Sequence, residues 1–150
     1  MGKPRVFTIG YEKATLQEFV HTLQREKITH LIDIRAIPWS RRPEFAQSNL
    51  SVSLKAQNIS YRHMKALGNP AKAHGATTVS HQPYPQIFLE HLQTPEAQNA
   101  LDEIKRLIAS APTVLLCYER SALQCHRSLV TAALASSRVD VIDLIPGSLL

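Results

Sequence analysis

The sequence predicts an α/β fold, a single-domain, Rossmann-like three-layer sandwich with a mainly parallel sheet of about five strands. Five short apolar, β-branched runs alternate with stretches of helical character along most of the chain. Such alternation is typical of a parallel sheet covered by helices on both faces. Two of the runs, "HLIDI" and "TVLLC", are almost continuously apolar, as strands buried on both sides are. A chain of 150 residues is long enough for one domain with one sizeable core, so we expect one domain over residues 1–150.

The first predicted strand, "RVFTI", covers residues 5–9 and leads into an amphipathic helix over 15–27. Starting at Leu16, the apolar residues of this helix recur at i, i+3, i+4 and i+7, which places them on one face. Thr15 and Glu18 stand at the two positions of a capping box. The pattern therefore predicts both the helix and the residue at which it starts.

The remaining elements follow from the same signals, with a proline in the first turn of the longest helix. They are strand 29–35, a short helix near 48–57, strand 59–64, helix 95–110, strand 112–119, helix 125–137 and strand 139–145. The segment 66–83 carries Gly, Pro and His and is long for a connection in a compact domain. Segments of this kind are lids, binding loops or disordered.

Composition excludes some classes of protein and leaves the partner open. The apolar fraction of 44% and the charged fraction of 19% are those of an ordinary globular protein. We find no apolar run long enough to cross a bilayer and no signal peptide, so we expect a cytoplasmic protein without a membrane partner. The net charge of +5 is compatible with an anionic small molecule or a nucleic acid, although no Lys/Arg-rich tract accompanies it. No particular cofactor and no oligomeric state is indicated.

The residues that carry chemistry gather where the predicted strands end. In an open α/β sheet, ligands bind outside the carboxyl ends of the strands. The candidate catalytic residues, all at or after the end of the fourth strand, are Cys117, Glu119, Cys125 and His126. The candidate substrate-binding residues are Gly10, Tyr11, Asp33, Arg35, Ser40, Arg41, His63 and Arg127. Their convergence on one edge of the sheet predicts a functional site there.

The stretch "LLCYERSALQCHR" (115–127) contains both cysteines of the chain. Cys125 stands where a loop turns into a helix, and a helix N-terminus lowers the pKa of a thiol. Cys117 ends an apolar strand, where a buried, inert cysteine and a reactive one are equally expected. Glu119 can orient a guanidinium, act as a general base, or form a surface ion pair.

The arginines have structural and functional interpretations too. A carboxylate at the tip of a buried strand is costly unless it is paired, so we expect Asp33 to hold Arg35 or another arginine. Arg127 in the first turn of a helix opposes the helix dipole and needs either a buried acid or a bound anion. Arg41 with its neighbouring arginine can clamp a phosphate or remain solvated, and Trp39 can stack on a base or pack under its own loop.

Three chemistries suit the cluster of Cys, Glu, His and Arg, and the sequence does not choose between them. A thiolate can attack an anionic substrate, but the spacing to the arginines differs from that of phosphatase and sulfurtransferase loops. Cys117, Cys125 and His126 can bind zinc, although the C-x7-C-H spacing matches no common zinc motif, so we assign no residue as a metal ligand and leave this alternative open. The two cysteines can also form a redox pair, although not of the C-x-x-C kind.

Four blocks of the sequence, "TIGYE", "DIRAIPWSRRPEF", "ISYRHMKALG" and "CYERSALQCHRSLV", resemble the motifs of the DUF488 family. The last block matches C-x-E-x5-C-H-R at every fixed position. The resemblance implies an α/β, Rossmann-like domain and supplies no established reaction. The chain departs from the pattern at Lys13 and Asn69, where glycines are usual, and at Asp143, where the last strand often has histidine.

Two functional hypotheses follow. In the first, the protein is an enzyme acting on a phosphate-bearing, nucleotide-like or nucleic-acid substrate through the Cys/Glu/His/Arg site. In the second, the arginines at the same edge of the sheet bind a nucleotide or nucleic acid, and the protein catalyses no reaction. A structural alternative is that Asp33, Arg35, Glu119 and Arg127 form one network that ties loops together.

Overall fold

The computed structural model describes residues 3–68, 84–121, 126–135 and 138–147. It contains a five-stranded, all-parallel sheet, which confirms the predicted α/β class. The strands are β1 (Arg5–Gly10), β2 (His30–Asp33), β3 (Ser60–His63), β4 (Thr113–Cys117) and β5 (Asp140–Leu144). Their order across the sheet is β3-β2-β4-β1-β5, so β4 is the central strand.

In the described part of the chain, five helices cover the sheet, together with short 3-10 turns at Pro43–Phe45 and Lys65–Leu67. The helices are α1 (Leu16–Arg25), α2 (Gln47–Ala56), α3 (Tyr84–Leu92), α4 (Pro95–Ile108) and α5 (Arg127–Ala135). The buried side chains of α1 and α2 belong to one hydrophobic cluster and those of α3, α4 and α5 to another. The sheet therefore lies between two helical layers. None of these described helices has the length and apolar character needed to span a bilayer.

The predicted helix start at Thr15 is confirmed in detail. The amide of Glu18 donates to Thr15 Oγ1 at 3.0 Å, and the amide of Thr15 donates to Glu18 Oε1 at 2.9 Å. The two bonds satisfy backbone donors that a helix N-terminus otherwise leaves unpaired. Phe19 and Leu23, on the predicted apolar face, are fully buried against the sheet.

The boundaries of the predicted elements differ from the observed ones by at most two residues, and one helix was missed. Helix α3, Tyr84–Leu92, occupies a stretch to which the sequence analysis assigned no element. It is only nine residues long, so few periodic positions signal it, but Phe88 is completely buried among α4, α5 and the sheet. Most of the predicted loop 66–83, including Asn69, lies outside the described residues.

The topology opens a crevice at the carboxyl end of β4. After β1 and β2, the chain enters the layer of α1 and α2, whereas after β4 it enters α5 in the opposite layer. Adjacent parallel strands whose connections leave to opposite faces leave a gap at their carboxyl ends. This gap separates the loops that carry most of the predicted site residues.

Candidate functional site

A cavity of about 610 Å³ lies at this edge of the sheet. Its lining comes from the loops after β1, β2 and β4 and from the start of α5. The lining residues are Tyr11, Arg35, Ala36, Ile37, Trp39, Ser40, Arg41, Arg42, Cys117, Tyr118, Glu119 and His126. The predicted residues Tyr11, Arg35, Ser40, Arg41, Cys117, Glu119 and His126 are thus brought together. Gly10, Asp33, His63 and Arg127 do not line the cavity, and Cys125 lies outside the described residues.

Asp33 and Arg35 form a buried ion pair behind the cavity wall, as expected for a carboxylate at the end of a buried strand. Arg35 Nη2 lies 2.7 Å from Asp33 Oδ2, and Arg35 Nε lies 2.9 Å from Oδ1. Burial works against the charged guanidinium, but the hydrogen bond and charge of Asp33 outweigh it and raise the pKa of Arg35. The guanidinium therefore stays charged at the cavity wall.

Most of the Arg35 donors are already used by the protein. Its Nη1 donates to the carbonyl oxygen of Phe45 at 2.8 Å and to the Tyr11 hydroxyl at 3.4 Å. Tyr11 in turn stacks on the Phe45 ring at 4.6 Å between centroids. Arg35 thus joins the loops after β1 and β2 and presents a fixed positive charge to the cavity.

Tyr61 on β3 adds a hydroxyl that donates to Asp33 Oδ2. Burial, followed by the negative charge of Asp33, raises the pKa of Tyr61 above the ordinary value of about 10.

The raised pKa of Tyr61 makes stability depend on pH. A raised folded-state pKa contributes stability that is fully present below pH ~10 and is lost as the pH rises through the folded value. We expect the urea midpoint of the wild type to fall above pH ~10 and that of Tyr61→Phe to fall less. Urea titrations from neutral to strongly alkaline pH measure this, and parallel curves would contradict it.

The neighbouring arginines of the loop after β2 have different surroundings. Arg42 donates to the carbonyl oxygens of Tyr11, at 3.1 Å, and Ala14, and its guanidinium lies over the Phe45 ring. Arg41 is exposed, lines the cavity and makes no hydrogen bond or ion pair with the described residues. Of the two, Arg42 holds loops together, whereas Arg41 is available to an anion.

The aromatic side chains at the cavity differ in exposure. Trp39, the only tryptophan of the chain, is 63% exposed, and Tyr118 is 45% exposed. Tyr11 is buried and meets the Tyr118 ring edge-on at 5.3 Å. Trp39 and Tyr118 therefore offer ring faces or edges to a ligand at the mouth of the cavity, whereas Tyr11 is part of its wall.

The loop after β4 lies against the end of β1. A Cβ atom on Gly10 would overlap the carbonyl oxygen of Glu119, so only glycine permits this approach. The amide of Glu12 donates to the Tyr118 carbonyl oxygen at 2.8 Å, and Glu12 Oε1 accepts from the Arg120 amide at 2.9 Å. Gly10 and Glu12 therefore position the loop that carries Glu119. The adjacent Lys13 keeps a left-handed φ of 64°, a conformation that glycine adopts most easily.

Cys117 is buried and disulfide-bonded. A sulfur in a disulfide is neither a thiolate nucleophile nor a metal ligand. A disulfide at Cys117 is what the redox-pair interpretation requires. Among the described residues there is no group of three His, Cys, Asp or Glu side chains placed to hold a metal ion.

Two histidines hold the chain segment after β2. His126 Nε2 lies 2.9 Å from the carbonyl oxygen of Ile34, and His63 Nε2 lies 2.6 Å from that of Arg35. Because a carbonyl oxygen only accepts, each Nε2 carries the hydrogen. Proton exchange by either imidazole with a ligand must then use Nδ1. Only His126 lines the cavity.

Arg127 is fully buried at the start of α5. Its Nη2 donates to the carbonyl oxygen of Glu119 at 2.6 Å, and its Nη1 lies 3.4 Å from Thr8 Oγ1. Burial lowers the pKa of Arg127, and the charges of Asp143 and Glu119 partly oppose that effect. The Thr8 hydroxyl donates to Asp143 Oδ1, and these two residues stand opposite each other in the β1–β5 register.

Sequence reasoning missed the roles of Thr8 and Asp143. It treated Asp143 only as the loss of a histidine, and for Arg127 it weighed a bound anion equally with a salt bridge to Glu119 or Asp33. The available signal was a polar residue within each of two predicted strands. Their pairing was not predictable because it depends on β1 and β5 being neighbours, which follows from strand order.

A family model for DUF488, a domain of unknown function, matches residues 15–134. This chain is a DUF488 protein. The cavity-lining residues from Arg35 to His126 lie within the matched range, whereas Tyr11 precedes it. Comparison of this DUF488 protein with curated proteins and with solved structures finds no match.

Proposed function

We propose that this DUF488 protein is an enzyme that acts on a phosphate-bearing, nucleotide-like substrate bound in the edge cavity. The observation that carries the proposal is the lining of one cavity by two kinds of residue. Arg41 and Trp39 are suited to binding such a substrate, and Glu119 and His126 are suited to proton transfer. Concave sites with a few converging polar groups are where ligands usually bind.

The binding part of the proposal depends on charge and stacking. Arg41 has donors that no described residue accepts, and a guanidinium can bind a phosphate through two parallel hydrogen bonds. Trp39 and Tyr118 are exposed at the same cavity, and stacking of a base on an aromatic ring is worth about 1–3 kcal/mol. The volume of about 610 Å³ is in the range of small-molecule sites.

The chemical part depends on Glu119 and His126. General acid–base catalysis needs a titratable group within hydrogen-bond reach of the reacting proton. Glu119 and His126 both line the cavity, and the Nε2 atom of His126 is bonded to the Ile34 carbonyl oxygen. Because Cys117 is in a disulfide, the proposed chemistry uses no Cys117 thiolate.

A binding module without chemistry is the second candidate, and a specific observation favours it. Of the predicted catalytic residues, Cys117 is in a disulfide and His126 has one ring nitrogen engaged by the main chain. Arg41, Trp39 and Tyr118 would still bind a nucleotide. Binding measurements alone do not separate this module from an enzyme, so turnover must also be measured.

The first experiment uses Trp39 as a reporter. Because it is the only tryptophan and lines the cavity, its fluorescence reports on occupancy of this site. We expect nucleoside mono-, di- or triphosphates to quench it in a saturable way, and the free nucleosides to bind more weakly. Trp39→Phe provides the control for inner-filter effects. Absence of a saturable response to every nucleotide tested would contradict the proposal.

Arg41→Ala and Glu119→Gln are expected to have separate effects. Losing a hydrogen bond to a charged group costs about 1.5–3 kcal/mol, so Arg41→Ala should weaken nucleotide binding by roughly 10- to 150-fold. Glu119→Gln should abolish conversion of the bound nucleotide, which mass spectrometry measures. It should leave the affinity for the nucleotide within about threefold, because glutamine has nearly the same size and shape as glutamate. Lys13→Ala, an exposed cation on the adjacent loop, is the matched control for charge.

The variants also distinguish the two candidates. If the wild type binds a nucleotide but converts none, and Glu119→Gln behaves as the wild type, the protein is a binding module. If Lys13→Ala and Arg41→Ala weaken binding equally, the effect is one of general charge and Arg41 is not a specific contact.

A further inference from the structure

We propose that Arg127 is a positioning residue that holds Glu119 at the cavity, and that Thr8 and Asp143 hold Arg127 in turn. This inference rests on the proposed function in so far as Glu119 acts on a substrate. It assigns Arg127 a different role from the substrate contact predicted from the sequence. It also assigns roles to two residues on β1 and β5 that lie outside the cavity.

The main chain on both sides of Glu119 is bonded to other parts of the fold. Before it, the Tyr118 carbonyl oxygen accepts from the Glu12 amide at 2.8 Å. After it, the Arg120 amide donates to Glu12 Oε1 at 2.9 Å. The carbonyl oxygen of Glu119 itself accepts from Arg127 Nη2 at 2.6 Å. These three bonds at three successive residues restrict the main chain at Glu119, which lines the cavity.

Arg127 is placed to serve the loop and not a ligand. It is fully buried and does not line the cavity. Its Nη2 also lies 3.4 Å from the Arg120 carbonyl oxygen, so one nitrogen faces two successive carbonyl groups of the loop. A guanidinium has several donors in a rigid plane, and here that plane joins α5 to the loop after β4.

A buried cation of this kind requires a compensating charge. The Asp143 carboxylate is linked to it through Thr8, whose hydroxyl lies 3.4 Å from Arg127 Nη1 and donates to Asp143 Oδ1. Thr8 and Asp143 are register partners on neighbouring parallel strands. The β1–β5 pairing therefore determines where Arg127 is held, and Arg127 determines where the Glu119 carbonyl group is held.

The test measures amide hydrogen exchange at Arg120 by NMR in the protein without ligand. We expect Arg127→Met to speed exchange of this amide by about tenfold or more, because a charge-assisted bond to the same loop is lost. Thr8→Val should speed it by about fivefold, less than Arg127→Met, because Thr8 acts on the loop only through its long contact of 3.4 Å with Arg127, and Thr8→Ser, which keeps the hydroxyl, should restore the wild-type rate. The amide of Leu115 in central strand β4 should be affected much less.

Leu54→Ala is the control for general destabilisation. It removes buried atoms from α2 in the opposite layer, so it should speed exchange at Leu115 and leave Arg120 unchanged. Unchanged Arg120 exchange in both Thr8→Val and Arg127→Met overturns the inference. So does equal acceleration at Arg120 and Leu115 in Thr8→Val, because the role would then be general stability.

A second measurement separates this inference from the proposed function. If nucleotides bind and are converted, Thr8→Val should lower kcat by about fivefold, in step with its effect on the loop, with little change in nucleotide affinity. If no nucleotide binds the wild type, the proposed function fails, and the Arg120 exchange rates still decide whether Arg127 positions the loop. If Thr8→Val weakens nucleotide affinity but leaves Arg120 exchange unchanged, the positioning role is wrong.

Discussion

Replacing Asp33 by alanine is expected to lower the free energy of unfolding by about 3–5 kcal/mol, the cost of removing one partner from a buried ion pair. Asp33 is fully buried and Arg35 is 6% exposed, so water does not replace the lost carboxylate. The change also removes the acceptor for Tyr61 and for the backbone amide of Arg35, which donates to Asp33 Oδ1 at 3.0 Å. Urea denaturation followed by far-UV circular dichroism measures the effect.

Glu44→Ala is the matched control for Asp33→Ala. It breaks the ion pair with Arg42, a more distant contact of 3.6 Å between partly exposed side chains, and should cost less than about 1 kcal/mol. The double variant Asp33→Leu/Arg35→Met should recover much of the lost stability, because apolar replacement of a whole buried pair is often neutral. A cost for Asp33→Ala no greater than that for Glu44→Ala would contradict this account of the pair.

Replacing Gly10 by alanine is expected to cost at least the upper end of the about 1–3 kcal/mol typical of overpacking. The added methyl group would overlap the carbonyl oxygen of Glu119, and the nearby atoms are main-chain atoms that cannot rotate away. Either β1 or the loop after β4 must move. That movement would pull the Glu119 carbonyl group from Arg127, so we expect loss of function together with loss of stability.

Ala132→Ser serves as the control for Gly10→Ala, since it adds one atom at an exposed position of α5 and should change stability by no more than about 0.5 kcal/mol. Thermal unfolding gives the stability of both variants, and nucleotide quenching of Trp39 reports on the cavity. Surface substitutions usually change stability by no more than about 0.5 kcal/mol. If Gly10→Ala also stays within about 0.5 kcal/mol of the wild type, the loop after β4 can move to accommodate the methyl group and the expectation is wrong.

Local sequence signals predicted most of the fold. The capping box at Thr15 and Glu18 is confirmed because both partners are three residues apart and their bonds need no other part of the chain. The continuous apolar character of "TVLLC" predicted a strand buried on both faces, and β4 is the central strand. Helix α3 was missed because its main stabilisation, burial of Phe88 against α4, α5 and the sheet, comes from distant residues.

The candidate site was predictable in position, because parallel strands carry their carboxyl ends to one edge of a sheet. It was less predictable in detail. The sequence by itself determined that Asp33 needs a partner, since a buried carboxylate is costly wherever the strand lies. It did not separate Arg41 from Arg42, which are neighbours in the chain, because only the folded chain brings carbonyl oxygens of another loop within reach of Arg42.

The polar residues named in the structural alternative form two networks in the folded chain, and only the tertiary structure decided this. Asp33 and Arg35 belong with Tyr61 and Tyr11, whereas Arg127 joins the Glu119 main chain and, through Thr8, Asp143. The residue types and their places after the strands are properties of the sequence. Which charge meets which acceptor depends on strand order and register, and those result from packing the whole sheet between its two helical layers.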